Sequence, residues 1–148
     1  GSEMCIRDRD FGAITTDKDT PFPKRLCEIY EDYCQILDSW EPDALSIERL
    51  YFTNNQKTGI DVAQARGIII MAAAQRGIEI NEYTPLQVKQ AVVGYGQAVK
   101  KQVQEMTKNI LKLSCVPKPD DTADALAMTI CHAQTSGSLL RNIKASNI

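Results

Sequence analysis

Imidazole is scarce in this chain, and cysteine is present without a pairing pattern. Histidine occurs once, at His132, and the five cysteines fall at 5, 27, 34, 115 and 131. Their number is odd and no C-x-x-C pair occurs, so neither a disulfide framework nor a zinc ribbon organises the fold. Cys131 and His132 read as packing residues, because structural zinc takes four well-spaced ligands. Long apolar runs are missing too. The longest, residues 67–74, is far shorter than the ~20 residues of a membrane-spanning helix. The N-terminus carries no secretory pattern. The expected location is therefore cytoplasmic.

What remains is an ordinary globular composition. The 148 residues are 43% hydrophobic and 24% charged, enough for one domain with its own core. The net charge of −2 hides an uneven distribution. Residues 1–48 carry −7, residues 49–118 carry +6 and residues 119–148 carry −1. A basic middle segment is the pattern of a binding face masked by a neutral average, or simply of scattered solvated charge.

Residues 1–9 read as a non-native leader, a tag remnant or translated sequencing adaptor, and are set aside in fold reasoning. Residues 10–136 read as the domain and 137–148 as a frayed tail. Along the domain, FGAITT at 11–16 and ALSIERLYF at 44–52 read as strands, the latter interrupted by Glu48. Residues 78–83 read as a third, short strand. Helices are expected at 23–40, where Leu26, Ile29, Tyr33, Ile36, Leu37 and Trp40 recur at helical spacing, and at 58–76, closed by Gly77. Thr84 and Pro85 open another as N-cap and first residue, and Gly94 and Gly96 interrupt it. A basic amphipathic helix follows at 97–113, with Val99, Val103, Met106 and Ile110 on one side, and a last helix at 120–134. The alternation of strands and helices implies an α/β layer fold with at least three strands.

The chemistry concentrates in a few acidic residues. Asp121 and Asp124 are three apart in the first turn of a helix, so both carboxylates share a face. N-capping alone accounts for acids there. Glu48 adds a second observation, because an ionisable side chain among Leu45, Ile47, Leu50 and Phe52 is costly to bury unpaired. Three carboxylates at one locus repel one another unless a cation sits among them, and hard oxygen donors favour Mg²⁺ or Mn²⁺. Paired ions of that kind clamp the oxygens of a phosphoryl displacement. Lys89, Lys100, Lys101, Lys108, Lys112 and Lys118 populate the same basic segment, either as a nucleic-acid track or as a solvated helix face. Tyr51 and Phe52 read as core, or as an exposed pair with one ring free to stack on a base.

Taken together, IERLYF at 47–52, AQARG at 63–67, YTPLQVKQ at 83–90 with GYG at 94–96, and DTADALA at 121–127 resemble the RuvC family of Holliday-junction resolvases over residues 11–134. The resemblance implies a ribonuclease-H-like mixed sheet flanked by helices, and a structure-selective endonuclease that resolves four-way junctions in recombination and repair. It implies Glu48, Asp121 and Asp124 as catalytic metal ligands for two Mg²⁺ (or Mn²⁺) ions. It also implies Lys89, Lys100 and Tyr51 or Phe52 as DNA contacts. By the same resemblance the partners are junction DNA, a second copy of the chain through the 58–76 helix, and a junction-binding and branch-migration complex. The family's fourth carboxylate lies in a G-x-D-P-G strand motif that this sequence does not contain. The expectation is a copy lacking the first two strands of the family fold, truncated and inactive. The alternatives are a non-catalytic junction-binding protein that lost its first aspartate, and a structural helper with no role at DNA. The family often has Lys-Asn where Asn54 and Asn55 stand, and often an acid where Val99 stands.

Overall fold

The computed structural model describes residues 10–50 and 56–146, of which 56–57 and 138–146 by backbone alone. Helix α1 spans Phe22–Trp40, strand β1 Ala44–Glu48, helix α2 Gln56–Gln75 and strand β2 Glu79–Tyr83. Helices α3, Pro85–Val93, α4, Lys100–Leu111, and α5, Asp120–Ser146, complete the described chain. The two strands pair side by side in a small parallel sheet, joined by the α2 crossover. The Glu79 N–H donates to the Asp43 carbonyl at 3.3 Å where the pairing begins.

The described chain divides into two compact units, and the division passes through both strands. The first holds α1 and α2. Leu37, Ala72 and Ala73 are buried together, with Tyr30, Tyr33, Cys34, Leu45, Ile78 and Ile80 packed around them. The paired alanines let the helices approach closely, and Leu37 fills the space. Polar bonds tie the ends. Arg76 places its guanidinium fork on Asp38, Nε to Oδ1 at 2.7 Å and Nη2 to Oδ2 at 3.1 Å. That contact holds the Asp38 carboxyl below its ordinary value. Tyr30 donates to Gln75 Oε1 at 2.9 Å. Helix α1 stops at Glu41, whose φ of 44° is left-handed and whose N–H donates to the Leu37 carbonyl.

The second unit contains Ser46–Glu48 and the chain from Tyr83 onward. Val92, Ala98, Val103, Ala127 and Ile130 form its core. Helix α3 is fixed at both ends. Thr84 Oγ1 accepts from the Gln87 N–H at 3.1 Å, and the Gln87 side chain accepts from the Thr84 N–H at 2.8 Å. This is a complete capping box. Gly94, at φ 96°, closes the other end. Two residues on, a Cβ at Gly96 would meet the end of the exposed Leu86 side chain, which would have to turn aside.

Four expectations are corrected by the structure. Residues 11–16 carry no regular structure. Strand propensity expresses packing on a sheet, and among the described residues this segment has no strand partner. The sheet therefore has two described strands rather than three. Strand β1 ends at Glu48, short of residue 52, and residues 51–55 lie outside the described residues. Helix α4 buries Val103 and Thr107, with Leu111 half-buried in line, while Val99, Met106 and Ile110 are exposed. The buried face is thus rotated by about a quarter turn from the apolar stripe. Thr107 can enter the core because its hydroxyl donates to the Val103 carbonyl at 2.7 Å. Helix α5 continues past residue 134 to Ser146. Gly137 does not stop it, because propagating a formed helix is easy and one interior glycine costs only about 1 kcal/mol.

Replacing Thr84 by Ala removes one half of the capping box. The expected loss is about 1 kcal/mol, a Tm lowered by about 2–4 °C, with Thr84→Ser close to the parent. Thermal unfolding followed by circular dichroism checks this.

Candidate functional site

The second unit contains a cavity of about 190 Å³ lined by Glu48, Lys89, Lys100 and Asp124 over an apolar floor of Val88, Val103 and Ala127. Each charged side chain arrives from a different element. Glu48 is the last residue of β1, Lys89 follows the Thr84 cap by one turn of α3, Lys100 opens α4, and Asp124 lies in the second turn of α5. The apolar floor comes from the inward faces of the same helices, so the packing that builds the core also aims the charges.

Glu48 is exposed as a residue, yet its carboxyl is pushed above the ordinary glutamate value. Desolvation in the cavity contributes most, followed by the negative charges of Asp124 and then Asp121. Glu48 thus feels both aspartates. Lys100 answers part of this charge. Its Nζ lies 3.1 Å from Asp124 Oδ2 and 3.8 Å from Asp120 Oδ2, and these partners, Asp124 foremost, hold the ammonium protonated above its ordinary range. Asp120 also accepts from Lys118 Nζ at 2.8 Å.

The structure brings Glu48, Asp124, Lys89 and Lys100 to one cavity. Asp121 stands at its edge, within electrostatic reach of Glu48 and Lys100 but not on the lining. Tyr51 and Phe52 lie outside the described residues. His132, read as a packing residue, bonds through Nδ1 to the buried Tyr83 hydroxyl at 2.7 Å. The sequence reading passed over Asp120. The signal was present, since Asp120 and Asp124 are four apart and share a helix face as closely as the i, i+3 pair does.

The donor set suits a hard divalent cation in kind, being all carboxylate oxygen. Among the described residues, however, no three acidic, histidine or cysteine side chains close around a single point. Glu48, Asp121 and Asp124 thus fit such an ion by chemistry and would hold it with further oxygen donors.

The raised Glu48 carries a sign that can be checked. Below about pH 4 the group is protonated whether the chain is folded or not, and no penalty arises. As pH rises through the raised value, ionisation costs the folded state more than the unfolded one. Glu48→Gln is therefore expected to raise Tm at pH 7 in EDTA. Solvent screening keeps the gain below about 1 kcal/mol, or about 1–3 °C, and it should vanish toward pH 4. Differential scanning calorimetry across that range measures it, and a Tm lowered at pH 7 would contradict the electrostatic account.

Comparison with known proteins bears on the same residues. The family model described as "Crossover junction endodeoxyribonuclease RuvC" matches residues 4–132. A protein of that name from Ruminiclostridium cellulolyticum is 52% identical over 135 residues, covering 90% of this chain and 81% of the relative. One from Caldicellulosiruptor saccharolyticus is 47% identical over 140 residues, covering 95% and 83%. The structure of Thermus thermophilus RuvC superposes with a TM-score of 0.74 at 33% identity, covering 81% of this chain and 72% of that one. The T. thermophilus protein in complex with a Holliday junction substrate gives 0.76 at the same identity, covering 81% and 73%. These neighbours have the ribonuclease-H-like fold, and the mixed α/β arrangement described above is that fold. With the family match spanning most of its length and relatives near half identical, the chain belongs to the RuvC family of crossover junction endodeoxyribonucleases.

Proposed function

We propose that the cavity is the phosphodiester-cleaving site of a four-way-junction resolvase acting in recombination and repair. The observation that carries this reading is the pairing of opposite charges around one cavity. Glu48 and Asp124 face it from one side of the charge balance, and Lys89 and Lys100 from the other. Carboxylates hold a hard divalent cation, and ammonium groups take up phosphate charge, so the set serves hydrolysis of a phosphodiester better than either half alone. Mg²⁺ suits the donors best and Mn²⁺ is the natural substitute, two ions per complete site. When bound, such ions supply Lewis acidity and an activated water. The chain's own work is to place them through Glu48, Asp121 and Asp124, and to steady the backbone of the DNA through Lys89 and Lys100. The residues read as aromatic contacts, Tyr51 and Phe52, belong to the same proposal.

The sequence has no G-x-D-P-G segment, and no three described ligands close around one ion. We further propose that cutting needs the fourth carboxylate that the resemblance places in that motif, and that the 148 residues alone bind junctions without cutting them. The same grounds support the second reading, a junction-binding protein without catalysis. Supplying a strand that carries the G-x-D-P-G aspartate separates the two. Gain of Mg²⁺-dependent, symmetric cleavage that Glu48→Gln abolishes supports the resolvase. A chain that binds junctions but stays inert after that addition supports the binding protein. Cleavage by the chain as it stands, lost in Glu48→Gln, would overturn the inactivity.

Partners follow from two surfaces. On α2, Ile60, Gln64, Gly67, Met71 and Ala74 form an exposed stripe, on the side away from Ala72 and Ala73. Spacings of four and three residues with a glycine at the centre suit a second copy of the helix, and we assign the homodimer to this stripe. Nothing stands within 4 Å of a Cβ at Gly67. Gly67→Arg is therefore expected to leave the fold intact and to reduce sedimentation to that of a monomer. A cytoplasmic setting, and association with a junction-binding and branch-migration complex, complete the proposal.

The lysines have their own test. Lys89→Ala and Lys100→Ala should each weaken junction binding and flatten the dependence of log K on log salt by about one unit. Gel-shift titrations across a salt series measure both, and unchanged slopes would remove these lysines from the DNA contact.

A further inference from the structure

Asp120 belongs to none of the roles above, yet it shares their lysine. Asp120 and Asp124 lie one turn apart at the start of α5, and Lys100 reaches toward both from the first position of α4. The distances rank them. Lys100 Nζ is 3.1 Å from Asp124 Oδ2 and 3.8 Å from Asp120 Oδ2. Asp120 is itself held, because Lys118 Nζ takes the other oxygen, Oδ1, at 2.8 Å. Its carboxyl is kept below the ordinary aspartate range, by Lys118 first and by Lys100 more weakly.

We propose that Asp120 is a positioning residue, the second seat of Lys100, which keeps the ammonium beside the cavity when a divalent cation takes Asp124. This rests on the reading of Asp124 as a cation ligand. A doubly charged ion on Asp124 draws on the carboxylate charge that Lys100 now uses and repels the ammonium, so the 3.1 Å contact weakens. Lys100 then needs another acceptor to stay in place. An exposed lysine with no other acceptor goes to solvent, where its flexible stem carries it away from the site. Here a second acceptor already stands within ion-pair range, sharing its charge between Lys118 on Oδ1 and Lys100 on Oδ2. The transfer requires only a small rotation of the lysine terminus.

The arrangement is poorly suited to a purely stabilising role. Lys100 is 53% exposed, Asp120 48% and Asp124 44%, and exposed ion pairs contribute little to folding. An acid in the first turn of a helix also favours the helix through its dipole. That effect depends on charge at residue 120 but not on where Lys100 sits, so an experiment that follows Lys100 itself tells the two apart.

The experiment follows the mobility of the Lys100 ammonium in the full chain by ¹⁵N relaxation, with and without Mg²⁺ as the only added ligand. Calorimetry on the same samples measures Mg²⁺ binding. In the parent, Lys100 is expected to stay ordered in both conditions. In Asp120→Asn it should stay ordered without Mg²⁺, held by Asp124, and lose its order when Mg²⁺ is added. Asp120→Glu should restore the order. Lys118→Met leaves Asp120 in place and removes its competitor, so Lys100 should be at least as ordered with Mg²⁺ as in the parent. This variant carries the test if Asp120→Asn fails to fold, and a loss of order in it overturns the proposal. If Mg²⁺ binds but Lys100 in Asp120→Asn remains ordered, the second seat is overturned while the reading of the cavity stands. If Mg²⁺ does not bind, or binds as tightly to Asp124→Asn as to the parent, the cation reading falls and takes this inference with it.

Discussion

Charge held out of water is the constraint around which the site is organised. Glu48 stands at a strand end, and desolvation first, then the negative charges of Asp124 and Asp121 on the first turns of a helix, lift its carboxyl out of its ordinary range. A protein built for stability alone would place an apolar residue there. Here the penalty is met locally, by an ammonium on the neighbouring helix that leans on Asp124. The lysine thereby offsets carboxylate charge on one wall of a cavity that Lys89 lines from another helix.

The helical elements that hold this arrangement were legible because their signals are local. Thr84, Pro85 and Gln87 announce the start of α3, and Gly94 its end, through backbone hydrogen bonds that need no knowledge of the rest of the chain. The 23–40 helix was legible from the recurrence of Leu26, Ile29, Tyr33 and Leu37. Strand 11–16 was misread for the opposite reason. The sequence FGAITT is a suitable strand only where a neighbour is present to pair with, and pairing is not a local property. The rotated face of α4 has a similar origin. Thr107 looks polar in a sequence, but its hydroxyl is satisfied by the Val103 carbonyl of its own helix, so it can be fully buried on the inward face.

The site was legible residue by residue but not as a circuit. Glu48 stood out because a charge interrupts an apolar run, and Asp121 and Asp124 because they share a helix face. Their link to Lys100 depends on α4 beginning at residue 100, three residues later than its amphipathic pattern suggests. The Gln102 side chain makes that boundary, accepting from the Val99 N–H at 2.9 Å. Asp120 was passed over because its importance comes from the lysine it meets rather than from its own spacing.

Helix α3, nine residues long, is too short to persist alone in water. It is held by a reciprocal cap at one end, a left-handed glycine at the other, and Val92 in the core. Lys89 sits between these anchors. No intermediate arrangement is open to such a segment, since sliding by a turn would break both caps at once and expose Val92. Lys89 is thus governed by an all-or-none equilibrium of the whole helix. Damage anywhere along α3 reaches the cavity as a lower population of intact sites, each with its lysine at full reach, and not as a uniform set of slightly displaced ones.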